Sequence, residues 1–326
     1  MRRIILHVGM HKTASTSLQM LMRLNSAALA KDNVIYPSTP GAQAGHHHLI
    51  SHWHHNLARE YPPAISPDAD WRSINELKAG EPVTVILSTE EFSRYAPSRV
   101  DFGDIRQRLT SYDQIEVVCV LREQLSLLQS IYLQTYRDQQ DAEFIDWIVR
   151  CFRVKFCSGV FLDYLELDEF LSQSFGAENV KYLSYESLSG NDTLLPWFLS
   201  QLGIQPSQPL RPLQRKNTGR DPLGNFVASQ FIDRKVLTAR QADQAGAIIL
   251  HSYPEKRRTS LYRKAEILAA QASISENNQR FRDHVQERFQ GGLASPEIKE
   301  DTLYRCELEL SKLGNIEDTL KRLHRQ

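Results

Sequence analysis

Near its start the chain reads Ile4-Ile5-Leu6-His7-Val8-Gly9-Met10-His11-Lys12-Thr13-Ala14-Ser15-Thr16-Ser17-Leu18-Gln19. Ile4 to Val8 has the length and apolar character of a buried strand. A loop of glycine, lysine and small hydroxyl residues follows. From Ser15 to Leu24, apolar residues recur at Leu18, Leu21 and Leu24, the spacing of one helix face. A strand that feeds such a loop into a helix start builds an anion site. The first backbone N–H groups of the helix have no internal acceptor, and the macrodipole adds positive potential. Ser15, Thr16 and Ser17 supply hydroxyl donors, and Lys12 supplies a mobile positive charge. Ordinary capping by Ser15 or Thr16 would explain a turn, but not Gly9, Lys12 and three consecutive hydroxyl residues together.

Outward from this segment, short apolar runs alternate with helical patterns. Val34-Ile35-Tyr36 predicts a second strand, Val83 to Leu87 a third, Ile115 to Leu121 a fourth and Val180 to Leu183 a fifth. Leu125 to Tyr136 and Leu194 to Leu202 read as helices. Strands separated by helices predict an α/β fold with a parallel sheet and helices on both faces. Pro206 to Pro222 is rich in Pro, Arg and Lys and has no period, so it reads as a long loop of the kind that often carries function. Asn225 to Gln326 shows no convincing strand and reads as charged amphipathic helices, including Glu266 to Ala272 and Cys306 to Leu313. The expected organisation is a core over residues 1–224 and a helical C-terminal extension over 225–326.

Composition excludes several classes. The 326 residues carry 39 Lys+Arg against 39 Asp+Glu, which argues against a generic nucleic-acid binder. No apolar run reaches the ~18 residues of a membrane span. Met1-Arg2-Arg3 and the apolar residues after it resemble a leader only briefly, since His7, His11 and Lys12 interrupt the run. Cys119, Cys151, Cys157 and Cys306 are scattered, without the spacing of a zinc site, and are expected to be reduced thiols in a cytoplasmic protein. His46-His47-His48, His52, His54 and His55 cluster without finger spacing, and no metal is expected there.

The loop is not a Walker A motif. Counting from Gly9, Ala14 stands at the second glycine position and Ser15 at the lysine position, while the lysine comes three residues after the glycine. The pattern G-x-x-K-T-x-[ST]-[ST] after a first strand instead resembles the 5′-phosphosulfate loop of the sulfotransferases, which use 3′-phosphoadenosine 5′-phosphosulfate (PAPS) as donor and release adenosine 3′,5′-bisphosphate. The resemblance covers roughly residues 1–220 and is closest in texture to bacterial enzymes that modify carbohydrates or other cell-surface molecules. It implies a P-loop-like fold and donor binding by Gly9, Lys12, Thr13, Ala14, Ser15, Thr16 and Ser17. In this family a buried strand ends in an Arg, followed eight residues later by a Ser on the next helix, and both bind the 3′-phosphate. Arg122 and Ser130 match that spacing. Arg122 also sits at a strand's C-terminal end, where open α/β sheets bind ligands and where its guanidinium can fork onto a phosphate. Tyr185, in Tyr185-Glu186-Ser187-Leu188, matches a tyrosine that lies near the adenine. Gln214-Arg215-Lys216-Asn217-Thr218-Gly219 resembles the basic loop that closes over the 3′-phosphate, which implies Arg215 and Lys216 as ligands, with Asn217 where the family has glycine. Ala14 also replaces a usual glycine, and Ser17 replaces a Trp of many cytosolic relatives.

Lys12 is the choice for the bridging oxygen of the leaving group. An acceptor hydroxyl needs a base within hydrogen-bond reach. Glu90, after the third strand, would face the same crevice as the loop. His46 and His47, after the second strand, have the more suitable unperturbed pKa. The expected partner is a small-molecule, glycan or lipid acceptor, with no metal and no nucleic acid. Two other readings remain open: a P-loop-like phosphotransferase (kinase), and a non-catalytic nucleotide-binding protein of the same fold.

Overall fold

Ile4, Ile5 and Leu6 are fully buried, as a strand covered on both faces requires. A computed structural model describes residues 1–38, 43–54, 62–63, 66–96, 98–135, 143–188, 194–213, 220–233 and 235–314. These divide into two compact units, taken here in turn.

The first unit comprises Met1–Arg122, Phe156–Lys216 and Asn278–Ala294. Its sheet is built from β1 (Arg2–His7), β2 (Val34–Ile35), β3 (Val83–Ser88), β4 (Gln114–Leu121), β5 (Val180–Ser184) and β6 (Phe289–Gln290). The strands are parallel throughout, in the order β2-β3-β1-β4-β5-β6. All five strands expected from sequence are present. On one face, Ile5, Ile86, Val118, Val120 and Leu183 pack with Leu18, Leu21 and Met22 of helix α1 (Ser15–Leu24) and with Leu195, Phe198 and Leu199 of the helix Leu194–Gln201. The helix Tyr164–Phe175 packs against β4 and β5 and against the helix Phe102–Arg108. Because the chain leaves β1 toward one side of the sheet and leaves β4 toward the other, the topological switch point lies between these two strands. Ligands of open α/β sheets bind at that point, beyond the strands' C-terminal ends.

β6 was not expected from the sequence. It is pinned by Asp168, a buried carboxylate on the helix Tyr164–Phe175. Asp168 accepts hydrogen bonds from Tyr182 Oη (2.7 Å), both terminal nitrogens of Arg288 (2.7 and 2.9 Å) and Ser172 Oγ (3.0 Å), and its Oδ2 lies 3.0 Å from His284 Nε2. Burial alone would raise its pKa, but the hydrogen bonds and charge of Arg288 hold it below the usual carboxylate range.

The second unit comprises Glu123–Lys155, Asn217–Asn277 and Ser295–Gln326. Its helices include Gln124–Thr135, Phe144–Val154, Pro222–Ala228 and Ala239–His251, and the helix Lys264–Val285 starts in it. Phe144 meets Tyr132 and Tyr262 edge-on, each at 4.9 Å between ring centroids. The division therefore does not fall at residue 224. Nor is the chain beyond 225 free of strands: Arg258–Ser260 and Thr302–Tyr304 pair in parallel, and β6 joins the first unit's sheet. Cys306 to Leu313 is not a helix but two short 3-10 turns, Arg305–Glu307 and Leu310–Leu313. Tyr253 Oη donates to Glu307 O (3.2 Å) and accepts from Glu309 N–H (2.8 Å), which diverts backbone groups that a helix would need.

Candidate functional site

The loop after β1 lies at the switch point. Val8 N–H still bonds Val118 O at 3.0 Å, and the chain then turns away. Lys12 and Ala14 hold φ of 66° and 62°, left-handed values that cost a residue with a Cβ roughly 1–2 kcal/mol. Such residues re-aim successive peptide N–H groups, which is how concave anion sites are made. Ala14 is the N-cap of α1, and no side chain caps the helix. The hydroxyls of Thr13 and Ser15 turn back to Met10 O instead, at 2.5 and 3.3 Å, and brace the loop from inside. Thr16 is exposed and Ser17 half-buried at the open end. The first turn of α1 thus keeps its N–H groups and dipole for an external anion.

Arg122, just past β4, closes the other side. Its Nη1 donates to Lys12 O at 2.7 Å, and its guanidinium carbon lies 4.6 Å from the centre of the Tyr185 ring. Tyr164 Oη donates to the Arg122 carbonyl. Arg122 Nε is buried, with no hydrogen-bond partner among the described residues. The Lys12 ammonium has its pKa lowered, first by burial and then by the positive charge of Arg122. The two cations are close enough for the charge of Arg122 to act on Lys12, so the site is rich in positive charge. Lys12, Arg122 and Tyr185 are thus brought together with the loop. Ser130 lies in the second unit, half-buried on the helix Gln124–Thr135. Arg215 and Lys216 lie outside the described residues.

The end of β3 supplies the remaining groups. Thr89 N–H bonds His7 O at 3.1 Å, and the Ser93 hydroxyl lies 3.1 Å from Gly9 O and 3.0 Å from Glu90 O. This ties the 3-10 turn Glu90–Ser93 to the loop. Glu90 is half-buried. Its Oε2 accepts from Gln19 Nε2 at 3.0 Å, and its Oε1 has no protein partner among the described residues. Its neighbour Glu91 is committed to Arg94 and His11. Burial would raise the Glu91 pKa, but Arg94 and His11 outweigh it and leave it lowered.

The two histidine candidates part company here. His46 is fully buried. Its Nδ1 accepts from Ser88 N–H at 3.1 Å, which leaves the ring proton on Nε2, facing Pro37 O at 3.2 Å. Burial first, then the neighbouring His48, pushes its pKa down to about 3. With both nitrogens engaged, His46 braces β3 and is no base for an acceptor. His47 is half-buried, with Nδ1 2.7 Å from the hydroxyl of Thr89, the residue before Glu90. Among the described residues, no three His, Cys, Asp or Glu side chains are grouped to hold a metal ion.

His7 is the residue that sequence reading passed over. It ends β1 almost wholly buried, with Nδ1 2.8 Å from Ser88 Oγ and Nε2 without a partner among the described residues. Burial pushes its pKa down to about 4, against the opposing charge of Glu90. Its one sequence signal was a polar side chain inside an apolar strand, directly before a glycine. A Cβ on Gly9 would stand 2.7 Å from His7 Nε2, so the glycine is what lets the loop pass the ring.

Fold and loop together define an α/β protein of the P-loop-like kind, with an uncapped helix start at its switch point. No family model and no curated protein matches the chain. Among solved structures, a sulfotransferase from Alicyclobacillus acidocaldarius is similar at a TM-score of 0.40 and 15% identity, over 75% of this chain and 94% of that one. The sulfotransferase domain of the Synechococcus PCC 7002 olefin synthase is similar at a TM-score of 0.33 and 15% identity, over 75% and 86%. No described helix is long and apolar enough to cross a membrane.

Proposed function

We propose that this chain is a sulfotransferase that moves the sulfuryl group of PAPS to an acceptor hydroxyl on a glycan, a lipid or another cell-surface molecule. The observation that carries the reading is the loop at the switch point. There the uncapped start of α1, the left-handed Lys12 and Ala14, and the Arg122 guanidinium bonded to the Lys12 carbonyl gather N–H donors and positive charge at one loop. The missing Walker geometry speaks against a nucleoside triphosphate in the same place.

Sulfuryl transfer proceeds in line between two oxygens, and negative charge grows on the departing phosphate. The residues then divide the work. The first-turn N–H groups of α1 hold the 5′-side anion. Lys12 donates to the oxygen on which charge develops, a form of stabilisation that is strongest where donors are preset. Arg122, with its free Nε, binds the 3′-phosphate, and Tyr185 lies beside the base of the nucleoside. Glu90 Oε1 takes the acceptor's proton. The transferred group carries a single negative charge, so the reading assigns its stabilisation to these side chains and N–H groups rather than to a metal ion.

Calorimetry tests the reading. Adenosine 3′,5′-bisphosphate should bind far more tightly than ADP or ATP, and without magnesium. Equal affinity for ADP, or an absolute need for magnesium, would overturn it.

A further inference from the structure

The base proposed above is held by a residue with no assigned part. Gln19 is buried on α1, and its carboxamide points at the end of β3. Its Nε2 carries two protons. One faces Ser88 Oγ at 3.2 Å and the other faces Glu90 Oε2 at 3.0 Å. The orientation of the amide is fixed by chemistry. Turned over, it would set its oxygen against a carboxylate oxygen, with no proton between them. Ser88 Oγ, receiving from Gln19, has its own proton available for His7 Nδ1 at 2.8 Å. A single line of hydrogen bonds therefore runs from His7 through Ser88 and Gln19 to Glu90.

We infer that Gln19 is the positioning residue for Glu90. Its N–H occupies Oε2, removes the rotational freedom of the carboxylate and leaves Oε1 as the one atom that can accept a proton. The two shorter or isosteric alternatives fail. Asn is too short, and Glu would place two carboxylates in contact. The surroundings are cut to fit. A Cβ on Gly45 would stand 2.7 Å from Cδ and Oε1 of Gln19 and from Nε2 of His47, so a larger residue there would press on the carboxamide and on the neighbouring imidazole. The clamp also rides on the helix whose N-terminus receives the donor, so one rigid element sets both the donor and the base.

The inference rests on the sulfuryl-transfer reading, and the test separates the two. Wild type, Gln19→Leu, Gln19→Glu and Gly45→Ala are compared in calorimetric binding of adenosine 3′,5′-bisphosphate and in the slow hydrolysis of PAPS, with water as the acceptor. Failure of the wild type to bind the bisphosphate sinks the functional reading itself. With binding intact, both Gln19 variants should keep Kd within about threefold and lose roughly 10–100-fold in kcat at little change in KM, the scale of a misplaced catalytic group. Gly45→Ala should shift kcat in the same direction by a smaller factor. A Gln19→Leu enzyme that hydrolyses PAPS at the wild-type rate overturns the inference. A second measurement needs neither turnover nor a Gln19 variant that folds. The side-chain amide protons of Gln19 should exchange slowly with solvent in NMR spectra, and they should move in Glu90→Gln. Amide signals that Glu90→Gln leaves unchanged overturn it equally.

Discussion

Gly9→Ala is a one-atom perturbation whose cost follows from geometry. The new Cβ would lie 2.7 Å from His7 Nε2, 3.0 Å from His7 Cε1 and 3.1 Å from Ser15 Oγ. The imidazole cannot simply swing aside. It is buried, its Nδ1 is engaged with Ser88, and its edge meets Phe198 at 5.2 Å between centroids. Forcing an extra carbon into a packed site costs about 1–3 kcal/mol. At ~2–4 °C per kcal/mol for chains of 150–250 residues, Tm should fall by several degrees. Differential scanning calorimetry reads the shift, and Gly292→Ala is the control. A Cβ at Gly292 meets nothing within 4 Å, so that change should stay within about 0.5 kcal/mol of wild type. The double mutant Gly9→Ala/His7→Ala is the sharper arm. Removing the ring removes the clash, so the two costs should fail to add by ~0.5–3 kcal/mol. Strict additivity, or a Gly9→Ala protein as stable as wild type, would refute the packing argument.

Arg122→Ala should weaken binding of adenosine 3′,5′-bisphosphate by roughly 1.5–3 kcal/mol, the value of a hydrogen bond to a charged partner, with little change in Tm. A large loss of stability at unchanged affinity would make the arginine a structural brace. Glu90→Gln should leave donor affinity intact and lower kcat by ~10²–10⁴, the usual contribution of a general base; near wild-type turnover would remove Glu90 from that part. His7 and His46 fold as neutral rings, with pKa values pushed down to about 4 and about 3, whereas the unfolded chain protonates them near 6.5. Their contribution is therefore complete above pH ~6.5 and is lost as pH falls through that value toward the folded pKa values. Urea unfolding at pH 7 and pH 5 should show the loss, up to ~1.4 kcal/mol per pH unit for each ring. His46→Asn should flatten the slope, and an unchanged slope would refute the assignment.

β1, β3, β4 and β5 were legible because they run to five to eight residues and are largely buried, so apolar runs such as Ile115 to Leu121 stand out, while the two residues of β2 were marked by the Pro37 that stops them. β6 and the pair Arg258–Ser260/Thr302–Tyr304 are two or three residues long, too short for alternation to register. Cys306 to Leu313 has helical periodicity, but tertiary hydrogen bonds from Tyr253 override it. In the site, loop chemistry was readable from residue types, because glycine, lysine and hydroxyls are conspicuous. Which of them would face an anion was not. Of the two expected caps, Ser15 turns inward to Met10 and Thr16 is exposed, and Ala14, which has no oxygen to offer, leaves the helix start without a side-chain cap. Burial decided the histidines. His46 and His47 are adjacent in sequence, yet one is fully buried with both nitrogens engaged and the other is half-buried against the Thr89 hydroxyl.

The hydrogen bonds on Asp168 also constrain how the protein is made. Asp168 and its partner Arg288 are 120 residues apart in sequence. A ribosome adding 5–20 residues per second needs roughly 6–24 s to cover that distance. For most of that interval the residues of β1 to β5 and of the helix Tyr164–Phe175 have been synthesised, while the carboxylate that will end up buried lacks its main counter-charge. Leaving such a charge buried alone costs several kcal/mol. The nascent first unit must therefore keep this edge hydrated and its β5 rim unpaired until β6 emerges. The pairing of β6 with β5 and the charge of Arg288 thus reach the sheet together, since Arg288 directly precedes Phe289 in sequence, and they are the last parts of it to be made.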